Sequence, residues 1–221
     1  MFIRTVARRR VGHKNPRRHP GAIVDSLTKG RDHAVSLNQT SPIVPNGYSI
    51  QRLTPTGIRA KAPELAAVLL DCVAGGASVS FMSDLDRPRA ERFWREVADR
   101  GESDGRAVFV AIRDSDGTAV GTVEMIPAGT ENQPHRADVA KMLVMRAHRR
   151  HGLGGALMRA AEAAAVTAGK TLLTLDTASD DAERLYTSLG WQRVGAIPNY
   201  ALNPDGSACA TVIFYKELVR G

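Results

Sequence analysis

The sequence predicts an α+β domain in which a mixed central sheet of about seven strands is flanked by about four helices. Three observations lead there. Stretches with apolar residues at every second position interleave with stretches at helical spacing, in the order β-α-α-β-β-β-α-β-α-β-β. Turn and breaker signals such as Gly75-Gly76, Gly101, Asp116-Gly117 and Gly169 separate many of these stretches. Hydrophobic residues make up 43% and charged ones 24% of the 221 residues, which is ordinary globular usage.

Each element has its own signal. YSIQRL (48–53) alternates as a strand does, and Thr56 or Gly57 is placed to open the helix that follows. Leu65, Leu69 and Val73 share one helical face, and Gly75-Gly76 ends that run. Asp86 caps a second helix with Pro88 in its first turn, and Gly101 closes it. AVFVAI (107–112) and AVGTVEMI (119–126) are strands joined by an Asp116-Gly117 turn, and ADVAKMLVM (137–145) is another strand. An Ala- and Leu-rich helix runs from about 152 to 168, ahead of the short apolar strand TLLTLDT (171–177). A helix near 180–189 and strands near 191–197 and 210–217 complete the set.

Charge is divided unevenly. Residues 1–46 hold nine Lys and Arg against Asp25 and Asp32, while the remaining 21 basic and 21 acidic residues cancel, so the net charge of +7 belongs to this extension. With four prolines and few large apolar side chains, 1–46 is expected to be a disordered basic extension to a domain spanning 47–221. Its arginine clusters suit weak contact with nucleic acid or an anionic surface, its acid-free start has some organelle-transit character, and the plainest reading is an unselected extension. A body without net charge disfavours DNA binding over the whole surface. The longest apolar runs are six residues, far short of the twenty a membrane helix needs. Cys72 and Cys209 form no disulfide framework, and no His, Cys or Asp spacing fits a metal site. A cytoplasmic protein without a metal is the expectation.

The stretch 141–158, KMLVMRAHRRHGLGGALM, carries the clearest chemistry. A strand runs into Arg149-Arg150-His151-Gly152-Leu153-Gly154-Gly155, where a strong helix begins. Unpaired N–H groups and the positive end of the helix dipole make an anion site there. The glycines admit close backbone approach, and Arg149, Arg150 and His151 add side-chain donors. Neither a P-loop nor a complete dinucleotide fingerprint is present.

The spacing R-x-x-G-x-G from Arg149 to Gly154 resembles the coenzyme A loop of the GNAT superfamily of N-acetyltransferases. A second motif supports the resemblance: TLLTLDTASDDAERLYTSLGW (171–191), with Ala182, Leu185, Tyr186, Gly190 and Trp191. Within the superfamily, GGASVSFM (75–82), HRADVAKMLV (135–144), LDT (175–177) and NYALNPDG (199–206) resemble the tabtoxin resistance acetyltransferase group, which acetylates the amine of a small amino-acid-like β-lactam toxin. Where members often have Pro and Gly, this chain has Arg146 and Arg150.

The resemblance implies a GNAT-like fold with a V-shaped splay between the two central strands. It implies acetyl-CoA as cosubstrate, lying in the splay like an added strand. Backbone groups of Met142, Leu143 and Val144 would pair with the pantetheine, and 149–155 would hold the pyrophosphate. Acetyl would pass by direct attack in a ternary complex to a small amine, with a protein or peptide amine as the alternative acceptor. A third reading keeps only a vestigial pocket beside a nucleic-acid-binding extension. The resemblance also admits a homodimer through a sheet edge.

An alkylammonium must lose a proton before it attacks, and the leaving thiolate must gain one. Tyr186 is the expected acid, or else a core aromatic on an amphipathic helix. Asp176, at the end of TLLTLD, and Asp138, near the start of the preceding strand, are candidates for base or ammonium anchor. Their structural alternatives are a turn or cap for Asp176, and an ion pair with Arg136 or Lys141 for Asp138. His135, at the cleft edge, is a lesser candidate base. FMSDLD (81–86) is either a lid over the amine or a packed turn.

Overall fold

The structure, a computed structural model, describes residues 44–219; nearly all of the basic extension expected over 1–46 lies outside the described residues. In chain order the elements are β1 (Tyr48–Leu53), α1 (Pro55–Ala74), α2 (Arg87–Gly101), β2 (Ala107–Arg113), β3 (Thr118–Pro127), β4 (Arg136–Val144), a short 3-10 turn (Arg146–His148), α3 (Leu153–Thr167), β5 (Leu172–Thr177), α4 (Asp180–Ser188), β6 (Gln192–Leu202) and β7 (Ala208–Glu217). They form one seven-stranded sheet in the order β1-β2-β3-β4-β5-β7-β6.

Two layers of helix sandwich the sheet. On one face Leu65, Leu69, Trp94 and Val97 from α1 and α2 pack on Val108, Val110 and Ile112. On the other, Leu157 and Met158 of α3 and Tyr186 of α4 pack on Phe109, Val123, Met125 and Phe214. Because both faces are covered, six of the seven β2 residues are buried, which is why AVFVAI reads as an unbroken apolar run. Asp86 caps α2 as expected, accepting from the Arg89 amide at 2.9 Å, whereas the α4 cap is Ser179, which accepts from the Ala182 amide at 3.4 Å. The α1 start falls earlier than expected. Thr54 is its cap, accepting from the Gly57 amide at 3.1 Å, and Pro55 takes the first turn, where its missing N–H costs nothing.

Two irregularities open the sheet. The parallel pair β4–β5 is joined only at Arg136↔Leu172, Ala137↔Leu173 and Asp138↔Thr174. Beyond that, β5 continues beside β7 and β4 runs on to Val144 beside β3, so the two central strands part company. This is the expected splay. The second is a bulge in β4: Glu124 faces Ala140 and Thr122 faces Leu143, so Lys141 and Met142 together face Val123. Lys141 takes up the extra length with φ +49°.

The strand expected near 191–197 is longer, and β6 reaches Leu202 through a second irregularity between Ile197 and Ala201. Pro198 and Asn199 look like loop punctuation in the sequence. They are tolerated because β6 is the sheet edge.

Candidate active site

The splay leads into a cavity of about 1090 Å³. Its walls are β4 over 139–144, the loop and first turn of α3, the end of β5 with the first turns of α4, the α1–α2 connection over 75–82, and the β6–β7 hairpin around 200–203.

At the α3 end, Gly152 is the helix cap with φ +82°, a conformation a side chain would strain. No side chain caps this helix, and its first backbone bond is Ala156 N–H to the Gly152 carbonyl at 3.1 Å. The amides of Leu153, Gly154 and Gly155 therefore have no intrahelical acceptor, and all three residues line the cavity. Arg149 and Arg150 also line it, whereas His151 does not; its Nδ1 lies 2.8 Å from the Arg149 carbonyl. Arg150 has φ +65°, which accounts for the frequent glycine at this position in the resembling family. Gly154 faces α4: a Cβ there would meet Leu185 Cδ2 at 2.9 Å. Gly154 thus permits the close approach of α3 and α4.

Along β4, Met142, Leu143 and Val144 line the cavity as expected, with one difference. The Val144 carbonyl accepts from Arg149 Nε at 3.0 Å and from the Cys72 thiol at 3.5 Å, so it already has partners. Burial pushes the Cys72 thiol above its ordinary pKa, which makes it a poor nucleophile. Arg146, at the turn after β4, is fixed by Asp71 of α1, which accepts from its amide at 2.7 Å and from Nε at 3.0 Å.

The two candidate aspartates part. Asp138 does not line the cavity; it is bonded to Arg136 and to the Thr174 hydroxyl at the closed end of the splay. This is the ion pair weighed as its structural alternative. Asp176 does line the cavity. It is not buried inside its strand, as its apolar neighbours suggest, but exposed, and Thr211 of β7 donates to its Oδ2 at 2.8 Å. Tyr186 is 5% exposed, packed edge-on to Phe214 and beside Trp191, and lines the same cavity. Burial, reinforced by the charge of Asp176, raises its pKa well above the ordinary tyrosine value. Tyr186 is thus a core aromatic, its structural alternative, and it also borders the cavity. His135 is exposed outside the cavity.

Three wall features escape the sequence reading. Lys141 points its ammonium to within 3.4 Å of the Ser80 hydroxyl. Glu124 lies beneath it, 1% exposed and ion-paired to Arg106 at 2.8 Å, its pKa raised by burial. The α1–α2 connection is tied to the β6–β7 hairpin: Ser78 donates to the Leu202 carbonyl at 3.0 Å, and the Ser83 amide to the Pro204 carbonyl at 3.0 Å. Polar residues scattered through 78–83 and 202–204 give no hint that they meet. FMSDLD is accordingly part of a tied wall. Among the described residues, no group of three or more His, Cys, Asp or Glu is arranged to hold a metal ion, and no helix is long and apolar enough to cross a membrane.

A layered mixed sheet with a splayed parallel pair, and a cavity running from orphan helix amides to a buried tyrosine, defines an acyl-CoA-dependent transferase class. The acetyltransferase (GNAT) family model matches residues 76–191, just over half of the chain, and the chain belongs to that family. It is an acetyltransferase that uses acetyl-CoA. Solved structures share the fold. A GNAT-family acetyltransferase from Streptococcus pneumoniae is 20% identical, over 77% of this chain and 99% of that one, with TM-score 0.60. A ribosomal-protein-alanine N-acetyltransferase from Brucella melitensis is 21% identical, over 77% and 99%, with TM-score 0.64. A phosphinothricin acetyltransferase from Sinorhizobium meliloti, in complex with acetyl-CoA, is 15% identical, over 79% and 90%, with TM-score 0.64.

Proposed function

We propose that the chain moves acetyl from acetyl-CoA to the primary amine of a small polar molecule, amino-acid-like or antibiotic-like, by direct attack in a ternary complex. The observation that carries this reading is the tie between the α1–α2 connection and the β6–β7 hairpin, which fastens two walls of the cavity to each other and leaves less room for a peptide chain than two independent loops would. The resemblance to the tabtoxin resistance group points the same way.

In this reading residues 47–221 form the catalytic unit, and its residues have distinct tasks. The α3 amides with Arg149 and Arg150 hold the pyrophosphate, and backbone groups of Met142 and Leu143 align the pantetheine and polarise the acetyl carbonyl. Acetyl-CoA supplies the activated acyl group as a thioester. Asp176, oriented by Thr211, receives the ammonium and takes its proton directly or through water. Tyr186 donates to the sulfur as charge develops there. Asp138 braces the closed end of the splay.

The test is release of coenzyme thiol from acetyl-CoA by the full chain, over amino acids, polyamines, aminoglycosides and a peptide panel. Turnover confined to small amines is expected. Faster turnover of peptide N-termini or lysines would refute the small-acceptor reading.

A further inference from the structure

Lys141 sits where a charge is hard to explain by the protein alone. The β4 bulge gives it φ +49° and turns its side chain into the cavity, one residue before the pair assigned to the acetyl group. Its ammonium lies 3.4 Å from the Ser80 hydroxyl and 5.6 Å above the Phe93 ring. Among the described residues no carboxylate lies within ion-pair distance of it. Glu124, the nearest buried acid beneath, is engaged by Arg106, which is itself held by Asp104 at 2.6 Å. Ser80 is also held in the left-handed region, at φ +74°. Backbone strain on two facing residues persists only where the surroundings impose it, and it gathers at ligand sites.

A half-buried lysine whose ammonium makes one weak hydrogen bond keeps unused donors at the cavity wall. Burial pushes its pKa down, while Glu124 and Asp176 hold it up. The phosphates of coenzyme A are not the missing partner, because their expected site lies beyond the other end of 142–144.

We infer that Lys141, with Ser80, binds an anionic group of the acceptor, a carboxylate in the first instance, so that the acceptor is a zwitterion held between this pair and Asp176. The inference rests on the small-amine reading above and adds the acceptor's second charge. Asp176 takes the ammonium end and Lys141 the carboxylate end, which fixes the direction in which the amine faces the thioester.

The experiment pairs each L-amino acid of a panel with its own carboxamide and adds putrescine, spermidine and kanamycin as amines without an anionic group. Thiol release by the full chain is measured for each. The acids should exceed their carboxamides by about 10–100-fold in kcat/KM, mostly through KM. Lys141→Met should bring that ratio to within about threefold, and Lys141→Arg should retain part of it. The acetyl-CoA-induced rise in Tm of each variant shows that the fold and the coenzyme site are intact. Ser80→Ala, which alters no strand, should lower the same ratio if Lys141→Met does not fold. Polyamines or carboxamides preferred by the wild type, or a ratio that survives both Lys141→Met and Ser80→Ala, overturns the inference and leaves the small-amine reading standing. Turnover of none of these small amines overturns both.

Discussion

Burial does two opposite things to Tyr186. It fixes the ring between Phe214 and Trp191, so the hydroxyl is positioned without loss of side-chain freedom on binding. It also raises the pKa, so the phenol is a weaker acid than a free tyrosine and stays protonated through any practical assay range. A thiolate, whose thiol has an ordinary pKa near 8.5, is too weak a base to take the proton completely in the ground state. The hydroxyl is suited instead to a hydrogen bond that strengthens as negative charge reaches the sulfur. Tyr186→Phe, which keeps the ring, is expected to lower kcat about a hundredfold with acetyl-CoA affinity within about threefold of wild type. Loss of affinity with kcat unchanged would remove the acid role. Asp176→Asn separates base from anchor in a pH–rate profile. A base loses the acidic limb of the profile, whereas an anchor raises the acceptor KM and leaves the profile's shape.

At the scale of elements, most of the layout is legible because each strand and helix carries its own period and its own punctuation. The loop from Arg149 to Gly155 is legible for the same reason: its chemistry is local. What escapes is set by partners distant in sequence. Nothing within 137–145 says that Lys141 occupies a bulge, because the bulge exists only against Val123. Nothing near Asp138 says that Thr174 will close over it, and the occupied Val144 carbonyl depends on Arg149 folding back.

Two predictions belong to junctions between elements. Gly154→Val forces Leu185 off the loop and narrows the cavity, and should raise the acetyl-CoA Kd at least about tenfold by calorimetry; wild-type affinity would refute the loop assignment. The Asp71–Arg146 junction uses a backbone N–H that the proline common at this position elsewhere lacks. Although partial burial opposes it, Arg146 holds Asp71 below its ordinary value of 3.8. The carboxylate therefore stabilises the fold above that value, and the contribution is lost as pH falls through the lower folded pKa. Asp71→Asn should lower Tm by about 2–4 °C at pH 7, for about 1 kcal/mol, with the gap narrowing below about pH 4. A gap independent of pH would refute the charged junction.

For the whole molecule, ligand binding is the decisive observable, because the cavity draws on both sheet halves and both helical layers. At about a hundred times its Kd, acetyl-CoA should add about 2.7 kcal/mol to stability. At 2–4 °C per kcal/mol for a chain of this size, Tm should rise by roughly 5–11 °C. CoA without the acetyl group should give most of that rise, since the proposed contacts are to pyrophosphate and pantetheine; an acetyl-only effect would place the ligand elsewhere.

The three-residue seam between β4 and β5 has a consequence for solvent access over time. A parallel pair that stops at Asp138 and Thr174 leaves facing backbone edges without a neighbouring strand. Where these edges carry amides, the amides trade hydrogen for deuterium early, long before those of β2, which is paired on both sides. Cosubstrate laid along the edge would slow that trade at 139–144 and leave the outer strands unaffected. The enzyme therefore carries its own occupancy gauge, readable by isotope exchange before any acceptor is known.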